Sequence, residues 1–359
     1  MTLNLTEETV PEGYERLVFA EDTESGLQAF ICVHSTTLGP AAGGCRMWDY
    51  ATLDEARRDV LRLAQGMTCK NAMADLALGG GKSVIVGNAR TDKSPALLRA
   101  FGRAVQSLNG SYYTAEDVGI SPEDMKIVAE ETPYAVGLEG GDYGTGDPSP
   151  FTAQGVFQCL QVGAEVVFGT RDLTGRRVLV QGLGHVGMSL AEKLHSVGAD
   201  LIVADINDAA LQHAKAALGA TICDTAQVFE TEMDIFAPCA LGGVLTNATV
   251  EKLTAKLVCG AANNQLETPE VADELRAKGI RYLPDYVVNA GGIIIISHEG
   301  PHFDRDKAMQ QVAGIHDTCL SIFERAKREQ ITTAEIADKI ALERLERVRN
   351  EKGRLALAS

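Results

Sequence analysis

Val178-Leu-Val-Gln-Gly-Leu-Gly-His-Val-Gly187 is a β-branched run that breaks on glycine and passes into a helical pattern reaching His195. A second apolar run, Leu201-Ile-Val-Ala204, follows and ends on Asp205. Strand, helix and strand in that order make a βαβ unit. Gly182 permits the turn out of the strand, Gly184 lets backbone approach a pyrophosphate, and Gly187 allows close helix–strand packing. The helix start, with Leu183, His185 and Val186, offers N–H groups to the anion. Asp205 can accept hydrogen bonds from both adenosine ribose hydroxyls and would repel a 2′-phosphate. With no arginine close behind it, NAD is favoured over NADP. The plainer alternative is a glycine-rich turn without a ligand, but strand, helix and acid spacing together fit a dinucleotide.

The rest of the second half repeats the alternation. Ile235-Phe-Ala237 leads into Pro238-Cys-Ala-Leu-Gly-Gly243, which contains Ala240, and Leu257-Val-Cys259 leads into Gly260-Ala-Ala-Asn-Asn-Gln265, which contains Asn263. Thr268-Pro269 marks a helix start, and Tyr282 to Gly292 carries Asn289 ahead of two glycines. Each loop follows a strand's carboxyl end, the edge where an open parallel sheet binds ligands. Asp304 to Arg328 reads as a long amphipathic helix, and Thr332 with Glu335 caps a last one. Ser149-Pro150 starts the helix that opens this half and ends at Gly169.

At 359 residues the chain is long enough for two domains. Its 33 Lys+Arg against 49 Asp+Glu give a formal charge of -16, which argues against nucleic acid and anionic membrane surfaces as partners. No apolar segment approaches the ~20 residues of a membrane span, and residues 1–13 are polar and unlike a signal peptide, so a cytoplasmic location is expected. Eight scattered cysteines read as reduced and buried, and no His or Cys spacing supports a metal. There is no nucleophile elbow and no internal repeat.

In the first half, Leu17–Ala20 and Gln28–Val33 read as strands and residues 38–44 as a loop. Thr52 and Glu55 form a capping box, and Val60, Leu61, Ala64 and Met67 share one face of the helix that follows. That helix delivers Lys70. Helices are expected over 95–108 and 122–132, with a strand over 112–119 between them that ends near Asp117. A glycine-rich acidic segment, 138–148, reads as a hinge. Between Lys70 and Lys82 nearly everything is small or apolar, and the strand Val84-Ile-Val86 follows. Two lysines in such company are either snorkelling surface residues or, held in a dry cleft, a candidate substrate-binding cation and base. Gly81-Lys82-Ser83 imitates the end of a phosphate-binding P-loop. Leu76 stands where that loop needs glycine and a strand follows instead of a helix, which leaves an ATPase as a weaker alternative.

Taken together, Lys70, Gly79-Gly-Gly-Lys82, Ala115-Glu-Asp117, Gly182-x-Gly-x-x-Gly187, Gly260-Ala-Ala-Asn-Asn-Gln265 and Asn289-Ala-Gly-Gly292 resemble the glutamate/leucine/phenylalanine/valine dehydrogenase family over almost the whole chain. The leucine dehydrogenases are the nearest branch. The chain departs from the family's usual pattern at Ala89, where proline is common, and in the 137–146 linker.

The resemblance implies an α/β protein of two domains. Residues 1–148 would form a mixed-sheet substrate domain, with 330–359 packing back on it, and 149–329 a doubly wound Rossmann domain for NAD. It implies reversible NAD-dependent oxidative deamination of an apolar L-amino acid to a 2-oxo acid and ammonia, in branched-chain amino acid metabolism, by a homo-oligomer. Lys70 would bind the substrate carboxylate and Lys82, with its pKa lowered by desolvation and by Lys70, would be the general base. Asp117 would exchange protons with the substrate nitrogen. Gly43, Gly44 and Met67 would lie beside the substrate, and Asn263 would hold its carboxylate and the nicotinamide side. Hinge closure would bring nicotinamide to the α-carbon. The side-chain pocket would be Ala42, Ala115, Ile293 and Ile296. Leucine dehydrogenases usually have leucine at the Ala42 position and valines at the two isoleucines, and phenylalanine dehydrogenases commonly have glycine at Ala115. Leucine is therefore expected first and an aromatic amino acid is the alternative. A silent NAD-binding regulator would have no use for Lys70, Lys82 and Asp117 together.

Overall fold

Gly79, Gly80 and Gly81 do not precede a strand as a loop; they are its first residues. A computed structural model describes residues 3–138, 147–299 and 303–358. The chain divides into two units. One is Met1–Gly146 with Ile296–Phe303 and Ala341–Ser359, and the other is Asp147–Ile295 with Asp304–Ile340.

In the first unit, in chain order, lie β1 (Asn4–Glu7), β2 (Arg16–Asp22), β3 (Leu27–Ser35), β4 (Ala41–Trp48), α1 (Leu53–Met73), β5 (Gly79–Val86), α2 (Pro95–Gln106), β6 (Tyr112–Ala115) and α3 (Pro122–Ala129). The strands make one mixed sheet in the order β1-β2-β3-β5-β4-β6. It is antiparallel from β1 to β5 and parallel across β5, β4 and β6. Val60, Leu61 and Ala64 of α1 cover one face, against Leu17, Phe30, Cys32 and Val84. Leu98, Phe101 and Val105 of α2 and Met125 of α3 cover the other, against Ile31, Cys45, Met47 and Ile85.

Four details differ from the sequence expectations. Residues 41–44 belong to the central strand β4, not to a loop. Alanine and glycine carry little strand propensity, and here burial and pairing on both edges override it. Lys82 is a mid-strand residue of β5. The sheet's edge strand β1, exposed at all four residues, carries no apolar alternation to read. β6 stops at Ala115, and Asp117 lies beyond it, bridged to Ile120. Gly80 explains the glycine run: a Cβ there would come within 2.2 Å of the Thr68 backbone nitrogen, so α1 rests on β5 backbone to backbone. Asn71 secures the contact by donating to Gly79 O at 2.5 Å.

The second unit holds α4 (Ser149–Phe168), β7 (Arg177–Gln181), α5 (His185–Ser196), β8 (Asp200–Ala204), α6 (Asp208–Leu218), β9 (Thr221–Ile222), β10 (Ile235–Pro238), α7 (Asn247–Lys252), β11 (Leu257–Val258), α8 (Val271–Ala277), β12 (Arg281–Tyr282) and α9 (Asp285–Val288). α10 (Gly291–Ser297) follows, then α11 (Arg305–Glu329) and α12 (Thr333–Ala358). Its sheet is wholly parallel, in the order β12-β11-β10-β7-β8-β9, with the doubly wound arrangement expected. Ser149 and Thr268 do not cap. α4 begins after Pro148 and α8 after Glu270, neither with a side-chain cap.

The expected return of residues 330–359 to the first domain begins later, at Ala341. The first turns of α12 are tied to the second unit, where Thr333 Oγ1 donates to Tyr282 O and Tyr286 OH donates to Asp338 Oδ1. Further along, Arg344 donates to Ala72 O in the last turn of α1 and to Leu76 O in the loop after it. The glycine-rich segment 139–146, read from the sequence as part of a hinge, lies outside the described residues. None of the described helices is long and apolar enough to cross a membrane.

Candidate functional site

Strand alternation sends Lys82 to the same face of the sheet as Val84, the face that α1 covers. The lysine is 6% exposed, and its Nζ donates to Asp117 Oδ2 at 2.5 Å. Burial pushes the Asp117 carboxyl up, but the Lys82 ammonium and the Arg46 guanidinium outweigh it and hold it below the usual carboxylate range. Burial pushes the neighbouring Cys45 thiol up to about 12 and raises the Tyr112 hydroxyl further, so both stay neutral. Tyr112 OH donates to Gly43 O at 2.7 Å, fixing the glycine pair in β4.

Lys70 is half-buried near the end of α1. Lys70 and Lys82 each stand two residues beyond the Thr68–Gly80 contact, one along α1 and the other along β5. Met67 lies on the same turn of α1, and its Cγ would be 3.0 Å from a Cβ at Gly43. A Cβ on Gly44 would meet Glu116 O at 2.4 Å and Asp117 Cβ at 2.9 Å. The two glycines therefore already serve the protein's own packing, since they let the strand pass Met67 and the Asp117 segment. Ala42 is buried in β4 opposite Gly80 and Tyr113. Ala115 Cβ and Ile296 Cδ1 lie 3.9 and 3.8 Å from where a Cβ of Gly137 would be, so these three residues border one space. Ile293 belongs to the second unit's residues, half-buried on α10.

Two features escaped the sequence reading. Gly137 is one; only a positive φ of 74° marks it. The other is a chain of charge behind Asp117. Arg46 Nε stands 3.6 Å from Asp117 Oδ2 while its NH1 donates to Asp59 Oδ2 at 3.0 Å, and Tyr50 OH and Arg62 NH2 also donate to Asp59. Period-two alternation from Gly44 could have placed Arg46 on the Lys82 face, had residues 41–44 been read as strand.

In the second unit, the glycine loop has the features a dinucleotide needs. Gly182 turns with φ 98°, a Cβ on Gly187 would lie 1.9 Å from Gly182 O, and a Cβ on Gly184 would meet nothing within 4 Å, so that backbone is open to a close approach. α5 starts at His185 with no side chain capping its first N–H groups, which leaves them for an anion. Leu183 N donates to Asp205 Oδ2 at 2.5 Å, and Asn207 N donates to Asp205 Oδ1, which fixes the acid at the end of β8. Ala240 Cβ lies 2.8 Å from the Cβ position of Gly182, so the β10 loop abuts the glycine turn. Asn289 Nδ2 donates to Asn263 Oδ1 at 2.8 Å and to Ala261 O, while its buried Oδ1 has no partner. An unsatisfied buried acceptor at this sheet edge suits a carboxamide donor such as nicotinamide's. These residues fit the group. Among the described residues no cluster of His, Cys, Asp or Glu could hold a metal ion.

Comparison with known proteins gives a consistent match. Residues 15–134 match the model of the Glu/Leu/Phe/Val dehydrogenase dimerisation domain, and residues 202–353 that of Glutamate/Leucine/Phenylalanine/Valine dehydrogenase. The chain is 49% identical to a leucine dehydrogenase of Thermoactinomyces intermedius, covering 94% of this chain and 93% of that one. It is 48% identical to a valine dehydrogenase of Streptomyces virginiae, covering 93% and 94%. The crystal structure of L-tryptophan dehydrogenase from Nostoc punctiforme is similar at TM-score 0.82 and 41% identity, covering 94% of this chain and 97% of that one.

The Asp117 environment makes a pH-dependent prediction. A carboxyl held below its ordinary value of 3.8 contributes stability that is complete above that value and fades as pH falls through the lower folded one. Asp117→Asn should be less stable than the unmodified protein at neutral pH. Its stability should also fall less steeply below pH ~4. Urea midpoints measured across that range give the answer, and parallel curves for the two proteins would contradict it.

Proposed function

We propose that this chain, which belongs to the Glu/Leu/Phe/Val dehydrogenase family and is an amino acid dehydrogenase, carries out the reversible NAD-dependent oxidative deamination of an apolar L-amino acid, leucine or another branched one, to the 2-oxo acid and ammonia. The observation that carries this reading is the Lys82–Asp117 pair beside small and apolar residues. A substrate carboxylate requires a positioned cation, and Lys70 supplies it. The substrate ammonium must lose its proton before the α-carbon can be oxidised. Asp117, kept ionised by Lys82 and Arg46, accepts that proton. When bound, the dinucleotide supplies the hydride acceptor; Gly182, Leu183, Gly184, His185, Val186 and Gly187 would hold its pyrophosphate, Asp205 its ribose, and Ala240, Asn263 and Asn289 its nicotinamide end.

The oxidised substrate is an iminium, whose carbon is open to water. Lys82, once its ammonium has released a proton to solvent, acts as general base on that water. Asp117 gives the proton it took from the substrate back to the nitrogen and then takes the proton of the new hydroxyl as the C–N bond breaks, so ammonia leaves and the 2-oxo acid remains. The 2.5 Å hydrogen bond between the two side chains keeps the base and the acid adjacent. Asp205 at the end of β8 argues for NAD over NADP, since a 2′-phosphate would meet its charge. The reading includes a cytoplasmic homo-oligomer, supported by the match of residues 15–134 to a dimerisation domain. Ala42, buried and small, favours the second reading, an aromatic substrate.

Two measurements test this reading. The unmodified enzyme should show a higher kcat/KM with NAD than with NADP, and Asp205→Ala with Ile206→Arg should shift the preference towards NADP; equal values for the two cofactors in the unmodified enzyme would refute the assignment of Asp205. Among the proteinogenic amino acids, leucine should give the highest kcat/KM, glutamate and aspartate should be poor, and Ala115→Gly should raise phenylalanine relative to leucine. The expected change is the ~10- to 200-fold that a methylene-sized difference gives. A higher kcat/KM for phenylalanine or tryptophan than for leucine in the unmodified enzyme would move the specificity from Ala115 to Ala42.

A further inference from the structure

Arg46 is partly buried, and its Nε is a buried N–H with no hydrogen-bond partner. Unsatisfied buried donors are uncommon and call for a reason. This one stands 3.6 Å from Asp117 Oδ2, just beyond hydrogen-bond reach, while Lys82 occupies the same oxygen at 2.5 Å. The other end of the guanidinium is fixed. NH1 donates to Asp59 Oδ2 on α1, and Asp59 is itself held by Tyr50 OH at 2.7 Å and Arg62 NH2 at 2.9 Å. Arg46 and Lys82 sit on adjacent parallel strands, β4 and β5, on the face that α1 covers.

We infer that Arg46 is a positioning residue that takes over Asp117 when Lys82 leaves it. The inference deepens the proposed function, in which Lys82 must turn from Asp117 to a water molecule while the carboxylate stays in place and charged. A single cation cannot do both. Were Lys82 the only partner, its departure would leave a buried carboxylate unpaired, a state that favours protonation or movement towards solvent. Arg46 removes that conflict because a short swing about its Asp59 anchor closes Nε onto Oδ2. The planar guanidinium suits the task, since one N–H can hold Asp59 while another points at Asp117. Burial lowers the proton affinity of Arg46, yet Asp117 and Asp59 outweigh it, so the cation stays charged throughout. The other titratable groups around Asp117, the Cys45 thiol and the Tyr112 hydroxyl, stay neutral and cannot replace it.

The direct test is a crystal structure of Lys82→Met. Arg46 Nε should close from 3.6 Å to ordinary hydrogen-bond distance, about 2.9 Å, from Asp117. An unchanged gap, or an Asp117 turned away to solvent, overturns the inference. Kinetics supply a second test, using Arg46→Gln and Arg46→Met so that one failure to fold does not decide it, with NADH affinity as the folding control. Each folded variant should lose roughly 10- to 100-fold in kcat with the amino acid KM within about twofold, and Arg46→Lys should recover part of the loss. A folded neutral variant with unmodified kcat, or a loss that appears wholly in KM, contradicts the role. Asp117→Asn separates the two levels. If it remains active, the proposed function itself is wrong, whereas an inactive Asp117→Asn beside a fully active Arg46→Gln removes only the present inference.

Discussion

A lysine ammonium and an aspartate carboxylate meet at 2.5 Å inside the first unit, and the surrounding chain is shaped to let them do so. Lys82 enters from mid-strand, which requires α1 to lie directly on β5, and only a glycine at position 80 leaves room for the Thr68 backbone. Asp117 enters from beyond β6, passing Gly44 at a distance that admits no side chain. A buried ion pair is poor evidence of stability, because desolvation offsets most of its attraction. Its retention among small residues and against packed backbone is better explained by chemistry than by stability.

The supporting elements follow from that requirement. Arg344 donates to Ala72 O and Leu76 O at and just beyond the end of α1, the helix that carries Met67 and Lys70, and Asn71 ties the same turn to the start of β5. On the far side of Asp117, Arg46 is braced by Asp59 and Tyr50. The pair is thus framed by one helix, two strands and a turn. The second unit is built separately around a parallel sheet whose carboxyl edge carries the glycine turn, Asp205 and the Asn263–Asn289 hydrogen bond.

The second unit was easier to read from sequence than the first. Gly182, Gly184, Gly187 and Asp205 are placed by local rules of turn, helix start and strand end, and those rules need only neighbours in the chain. Lys82 and Asp117 were legible as residues, chiefly through the resemblance of their surroundings to a known family, but not as partners. Their contact depends on β4 lying between β5 and β6, and Ala41–Gly44 carries almost no strand signal. Losing β4 also hid Arg46, whose orientation follows only once the strand is known. Gly137 was hidden for a related reason: it matters through space, beside Ala115 and Ile296, and nothing in its own neighbourhood announces that. The late return of the chain at Ala341 depends on single hydrogen bonds of Thr333, Tyr286 and Arg344, which leave no trace in periodicity.

In the proposed reaction Lys82 does chemistry on the substrate and takes no part in holding the dinucleotide. Turnover and NADH affinity of Lys82→Ala, measured on the same preparation, test it most directly. The expected result is a kcat below about a hundredth of the unmodified value, in line with the ~10²- to 10⁴-fold usual for a general acid or base, with NADH bound as before. A variant that keeps more than a hundredth of its turnover would contradict it.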